Sequence, residues 1–245
     1  MIPPAYYRSL LSADQQEDYK ALVNGLRSRS GSIRIHQHPD RQDVIRQIVR
    51  AVHLDHPELF YVDFWHYESS WHPLSRNVRL HFQMMLEPEP SQAVSNSLAE
   101  QAASLKKRLE GCASVERAYY LVAKEVASST RYLDSNSAFW DHTVAGPILR
   151  HSAVCEGVAK LFLFFCQRVS LPCAIMTGTL HGTPHAWNLV ERNGQRSHMD
   201  ITGILQTAAL FSIAPYALFQ ADAALRQKGY HWEDPRQTVP PQNNR

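Results

Sequence analysis

The chain has 245 residues, 44% of them hydrophobic, with 25 basic and 23 acidic side chains and a formal net charge of +2. Charges so nearly balanced and so evenly spread build no field of one sign, so neither a nucleic acid nor a membrane surface is expected as a partner. The length suffices for one sizeable core, or for a core with a smaller companion layer.

The first residues, from Met1 to Tyr7, lack the basic-then-apolar pattern of an export signal. A cytoplasmic protein is therefore expected, or an extracellular one had a signal been cut from a longer precursor. The longest apolar runs, 161–166 and 208–219, are too short or too interrupted to span a bilayer. Four cysteines, Cys112, Cys155, Cys166 and Cys173, include no Cys-x-x-Cys pair, which argues against a disulfide framework and a structural zinc site. Spacing permits a Cys166–Cys173 bridge, although buried free thiols are the commoner outcome in an intracellular chain.

In chain order, Ser12 is a natural N-cap for a helix over 12–27, with Tyr19, Leu22, Val23 and Leu26 at helical spacing. A short strand over 32–36 follows. A second helix over 40–53 carries Val44, Ile45, Ile48 and Val49 on one face and stops before His56-Pro57. Residues 59–67 are rich in aromatic and β-branched side chains, and 77–86 alternate Val78, Leu80, Phe82 and Met84, which predicts an antiparallel pair. Helices over 91–109 and 114–128 come next, parted near Gly111. Residues 134–152 show no sustained period and contain Gly146-Pro147, so a long loop is expected, of the kind that walls a site. The last residues, 235–245, with three prolines and two asparagines, read as a disordered tail. This divides the chain into an α+β N-terminal region (1–110), a catalytic domain (111–234) and the tail.

Helix 155–169 sets Cys155, Ala159, Phe162, Cys166 and Val169 in one continuous apolar row. Cys155 heads that row in the first turn, where unpaired backbone N–H groups and the positive end of the macrodipole favour thiolate over thiol and offer donors to an oxyanion. Most cysteines are inert buried hydrophobes. What sets this one apart is its neighbourhood: Glu156 places a carboxylate on the helix N-terminus, and Gly157 leaves bare backbone for a close approach.

A strand over 173–179 and a Gly/Pro-containing turn lead into His185-Ala-Trp-Asn-Leu-Val-Glu191, and Asn193-Gly194 is a two-residue hairpin signal. Counting back from that turn pairs Arg192 with Gln195, Glu191 with Arg196, Leu189 with His198, Trp187 with Asp200 and His185 with Thr202. His185 and Asp200 then share a face as diagonal neighbours, about 7–8 Å apart at the backbone, within reach of their side chains. An aspartate so placed fixes the imidazole tautomer that leaves the other ring nitrogen free to take a thiol proton. His181 and His185 have the spacing of a zinc pair on a helix, but Gly182 and Pro184 argue against a helix, so no metal is expected.

Val154-Cys-Glu-Gly157, Pro172-Cys173 after a helix, Gly182-Thr-Pro-His-Ala-Trp-Asn188 and His198-Met-Asp-Ile-Thr202, in that order, resemble the transglutaminase-like superfamily of cysteine enzymes over residues 119–202. The segment 6–15, with Asp55-His-Pro-Glu-Leu-Phe60, is more weakly similar to the region preceding this domain in bacterial members. The resemblance implies an α+β, papain-like core in which a nucleophile-bearing helix packs on an antiparallel sheet. It implies Cys155 as nucleophile, His185 as base and Asp200 as orienter, with no cofactor and a protein or peptide substrate. His142 falls where the family's loop approaches the nucleophile and is a candidate substrate-binding residue, as is Trp187 beside the base. Members commonly carry an aromatic residue where this chain has Val158, and a tryptophan soon after the Asp-x-Thr block, where it has Gly203. The chemistry expected is attack on an amide carbonyl to give a thioester, resolved by water in a peptidase or amidase, or by an amine in a transglutaminase. Hydrolysis is the first expectation, since no carboxylate cluster of EF-hand spacing appears. A binding module that retained the fold is the remaining alternative.

Overall fold

The computed structural model describes residues 1–72, 77–133, 137–207 and 215–233. The disordered tail expected from residue 235 lies outside them. The chain divides into two compact units, Ala5–Ala93 and a second unit of Met1–Pro4 with Val94–Arg245.

In the first unit, helix α1 (Ala13–Arg27) opens with a capping box: the Ser12 hydroxyl accepts the Gln15 N–H, and the Gln15 side chain accepts the Ser12 N–H. Strand β1 (Ser32–Ile35) follows, then α2 (Gln42–Asp55), whose Val44, Ile45, Ile48 and Val49 are all buried. Strands β2 (Val62–Ser70) and β3 (Val78–Met84) complete an antiparallel sheet of order β1-β3-β2. On β3, Val78, Leu80 and Phe82 are buried, as their alternation predicts. Helix α3 (Pro88–Leu109) contains the division between the units.

In the second unit, α4 (Val115–Ser129) is capped by the Ser114 hydroxyl. A parallel pair, β4 (Arg131–Tyr132) with β5 (Ser152–Ala153), brackets α5 (Ala145–Arg150). The long loop expected over 134–152 is therefore corrected for the residues described: a 3-10 turn at Phe139–His142 and α5 occupy it. Neither is long enough to show a helical period, and Pro147 sits early enough in α5 that its missing N–H costs little.

Helix α6 (Cys155–Arg168) then packs on an antiparallel sheet of order β8-β7-β6-β9, made of β6 (Cys173–Leu180), β7 (Thr183–Arg192), β8 (Gln195–Met199) and β9 (Tyr230–His231). Residues 157–166 of α6 are buried without exception, so the helix is enclosed all round rather than on one stripe. Asn188 of β7 donates its amide to the Ala159 carbonyl (3.0 Å), tying sheet to helix. Tyr119 of α4 stacks on Phe162 and donates its hydroxyl to the Pro172 carbonyl (2.6 Å). Helix α7 (Ile201–Thr207) lies against α6, α4 and β4, and helix α8 (Asp222–Gln227) against β8 and β9. Cys166 and Cys173 are buried free thiols, and no bridge joins them. No helix among the described residues is long and apolar enough to cross a membrane.

Candidate active site

Cys155 is the first residue of α6, partly exposed, behind an extended N-cap residue, Val154, whose side chain caps nothing. An apolar N-cap leaves the donors of the first turn to be met by something other than the cap, beside the thiol. The turn at 139–142 lies directly against this helix start. The Val154 N–H donates to the Asp141 carbonyl (3.0 Å), and a Cβ on Gly157 would collide with that same carbonyl. Glycine is thus needed there for close approach.

Asp141, fully buried, holds the turn. Its carboxylate accepts the Ala138 N–H (2.8 Å) and the Ser152 hydroxyl (2.7 Å), with the Arg150 guanidinium 3.4 Å away. Next to it, His142 Nδ1 lies 3.2 Å from a Glu156 oxygen, and its Nε2 lies 3.0 Å from the Ser137 hydroxyl. The other Glu156 oxygen is paired with buried Lys160 at 2.9 Å. Burial holds the Lys160 ammonium below its ordinary pKa, with Glu156 opposing that shift. Lys160 thus offsets the negative charge that Glu156 places one residue from Cys155.

The other half of the site comes from the hairpin. Asn193 and Gly194 both have positive φ (51° and 75°), as a primed two-residue turn requires. The register is the one counted from the sequence for three pairs: Arg192 with Gln195, Glu191 with Arg196 and Leu189 with His198. It ends at Asn188 with Met199. The expected Trp187–Asp200 and His185–Thr202 pairs do not form, because Asp200 turns the chain into α7, its Oδ1 accepting the Thr202 N–H at 2.9 Å. The carboxylate still reaches the imidazole: His185 Nε2 lies 2.8 Å from Asp200 Oδ2, and both side chains are 8% exposed.

Cys155 is, after Asp200, the second side chain that raises the His185 pKa. With Nε2 committed to Asp200, Nδ1 is the ring nitrogen left for the thiol. Burial alone would lower the His185 pKa, but hydrogen bonds and charge from Asp200 and Cys155 outweigh it and carry it from 6.5 up to about 9. The Asp200 carboxyl is held below its usual range: burial would raise it, and His185, Tyr230 and the Thr202 N–H more than offset that.

Tyr230, on β9, donates its hydroxyl to Asp200 Oδ2 at 2.6 Å and packs edge-on to His185. The sequence reading missed it. It also missed Asp141, whose only signal was an acidic residue in an aperiodic stretch. Trp187 is 1% exposed, its ring nearly parallel to that of His185 with centroids 5.9 Å apart. Its contact with the site is with the imidazole. His181 sits in the β6–β7 turn with φ 49°, not on a helix with His185. Among the described residues no group of three or more His, Cys, Asp or Glu is placed to hold a metal.

No family model matches the chain, and no curated protein does. Among solved structures it is similar to a TGase, at 16% identity and a TM-score of 0.38 over 70% of this chain and 50% of the other. It is also similar to a candidate cysteine protease from Cytophaga hutchinsonii, at 14% identity and a TM-score of 0.36 over 56% of this chain and 61% of the other. The chain thus spans 50% and 61% of those two structures' lengths. At such identities and TM-scores neither likeness carries an activity over to this chain.

Proposed function

We propose that the second unit is a cysteine-dependent amide hydrolase acting through a thioester, with Cys155 as nucleophile, His185 as acid–base and Asp200 as orienter. The observation that carries this reading is the division of the His185 ring, one nitrogen held by Asp200 at 2.8 Å and the other neighbour being Cys155 at a helix start. An imidazole whose pKa is raised to about 9 remains protonated at neutral pH and can hold the thiol as a thiolate.

The Cys155 sulfur adds to the amide carbonyl carbon, forming the C–S bond and sending the carbonyl π electrons onto oxygen, to which N–H groups of the first turn of α6 donate hydrogen bonds. Collapse of this adduct breaks the C–N bond, and the amine leaves with the proton from His185. A water then attacks the thioester, giving a proton to neutral His185. The C–S bond breaks, an acid is released, and the thiolate–imidazolium pair returns. His142, 35% exposed and one residue pair away through Glu156, is assigned to the rim where substrate enters.

The test is cleavage of an unfolded protein substrate, with a fluorescent primary amine present at millimolar concentration. New N-termini without amine incorporation, both lost in Cys155→Ala, are expected. Incorporation of the amine in place of cleavage overturns water as acceptor, and cleavage that survives Cys155→Ala overturns the nucleophile.

A further inference from the structure

Behind His185 lies a second hydrogen-bonded chain, buried at its two rings and open to solvent at its carboxylate end. The Trp187 indole N–H donates to His198 Nδ1 at 2.9 Å, and His198 Nε2 lies 2.9 Å from Asp222 Oδ1. An indole nitrogen is a donor only, so His198 Nδ1 must carry a lone pair. The proton of His198 therefore sits on Nε2, where it is donated to Asp222, and the ring is neutral. Both rings are 1% exposed, leaving no room for water to come between them.

The geometry points to His198 as a positioning residue that, as a neutral Nδ1 acceptor, clamps the Trp187 indole flat against the His185 ring. This rests on the reading of His185 as the acid–base above. The clamp fixes the ring plane that presents Nδ1 to Cys155, just as Asp200 fixes which nitrogen carries the proton. An indole face also favours an imidazolium over a neutral imidazole.

The groups facing His198 set what acid does to it. From α8, Asp222 attracts a proton to the ring and Arg226 repels one; from β7 and the segment after β9, Trp187 and Trp232 face it with apolar ring surface. Backbone bonds to Gln220 hold the strand on the remaining side. Burial wins, and the His198 pKa lies below 6.5. Protonation below that point sets Nδ1–H against the indole N–H, donor against donor, and the clamp opens. The site then has an acid limit that belongs to His198 rather than to Cys155 or His185.

Variants separate these roles. In His198→Asn the shorter amide side chain can place its oxygen near the former Nδ1 and does not titrate. His198→Leu leaves the indole N–H buried without an acceptor. Trp187→Phe keeps a ring against His185 but removes the donor. Expected is a roughly tenfold loss of kcat with KM unchanged in His198→Leu, recovery to within about threefold in His198→Asn, and partial rescue of His198→Leu by Trp187→Phe, the non-additivity that a direct contact produces. An additive double mutant, or a His198→Asn as impaired as the Leu variant, overturns the clamp.

Nuclear magnetic resonance of the imidazole nitrogens reports independently of any substrate. His198 is expected as the Nε2–H tautomer at neutral pH, with the Trp187 indole N–H protected from exchange and titrating with the His198 midpoint below 6.5. An Nδ1–H tautomer, or an indole signal indifferent to His198, overturns the inference even if amide cleavage is found. The expected spectrum sustains it even if cleavage is not.

Discussion

Replacing Asp200 by asparagine tests the site where its geometry is most constrained. Both carboxylate oxygens are committed as acceptors: Oδ2 to His185 Nε2 and the Tyr230 hydroxyl, Oδ1 to the Thr202 N–H. Asparagine has one oxygen. If its amide nitrogen turns to Thr202, two donors face each other in a buried site, at a cost of about 1–3 kcal/mol. If it turns to His185, Nε2 must become the acceptor, the ring proton moves to Nδ1, and the thiol loses its base. Either way the charge that raises His185 is gone. The rise from 6.5 to about 9 corresponds to roughly 3 kcal/mol of preference for the imidazolium, and Asp200 is the largest contributor raising it. Asp200→Asn is therefore expected to return the His185 midpoint to within about one unit of 6.5 and to lower kcat/KM by roughly 10²–10⁴. The His185 ring resonances followed from pH 5 to 10 give the first quantity, and steady-state cleavage gives the second. A midpoint still near 9 in the variant would refute Asp200 as the source of the shift.

The same shift makes a statement about stability. Because the folded His185 pKa lies above the unfolded one, its contribution is fully present below pH 6.5 and is lost as pH rises through about 9, which denaturant titrations at pH 6 and pH 9.5 will show as a fall of up to about 3 kcal/mol. Tyr230→Phe removes a competitor for Asp200 Oδ2, so the His185 midpoint should move up rather than down, measured in the same titration. Lys160→Met removes the ammonium 2.9 Å from Glu156 and should slow alkylation of Cys155 at pH 7 by about two- to fivefold. Gly157→Ala drives a methyl group into the Asp141 carbonyl and should cost about 1–3 kcal/mol in thermal or denaturant unfolding.

Where the chain repeats a local rule, the sequence was sufficient. Ser12 with Gln15 marked the start of α1, and Asn193-Gly194 fixed a register that the structure keeps from Arg192–Gln195 to Asn188–Met199. That count brought His185 and Asp200 together for a reason independent of family resemblance. It failed one residue later, because Asp200 spends one oxygen on the Thr202 N–H and bends the chain out of the ladder, something no pairing rule encodes. Tyr230 was illegible for a different reason: β9 has two residues, too few for any period, and meets Asp200 from 30 positions downstream. Asp141 and Gly157 act only jointly, a carbonyl against a missing Cβ, and neither signals the other along the chain. The hydrogen bond from Trp187 to His198 links residues that occupy neighbouring rows of the hairpin, a diagonal contact that register alone leaves open.

Alkylation of Cys155 at mildly acidic pH tests most directly the proposal that His185 holds this thiol as a thiolate. Cys112, a partly exposed thiol outside the site, serves as the internal control. With iodoacetamide adducts mapped by mass spectrometry, Cys155 should label at pH 6 at least about tenfold faster than Cys112. Cys155 and Cys112 labelling at similar rates at pH 6 would contradict that reading.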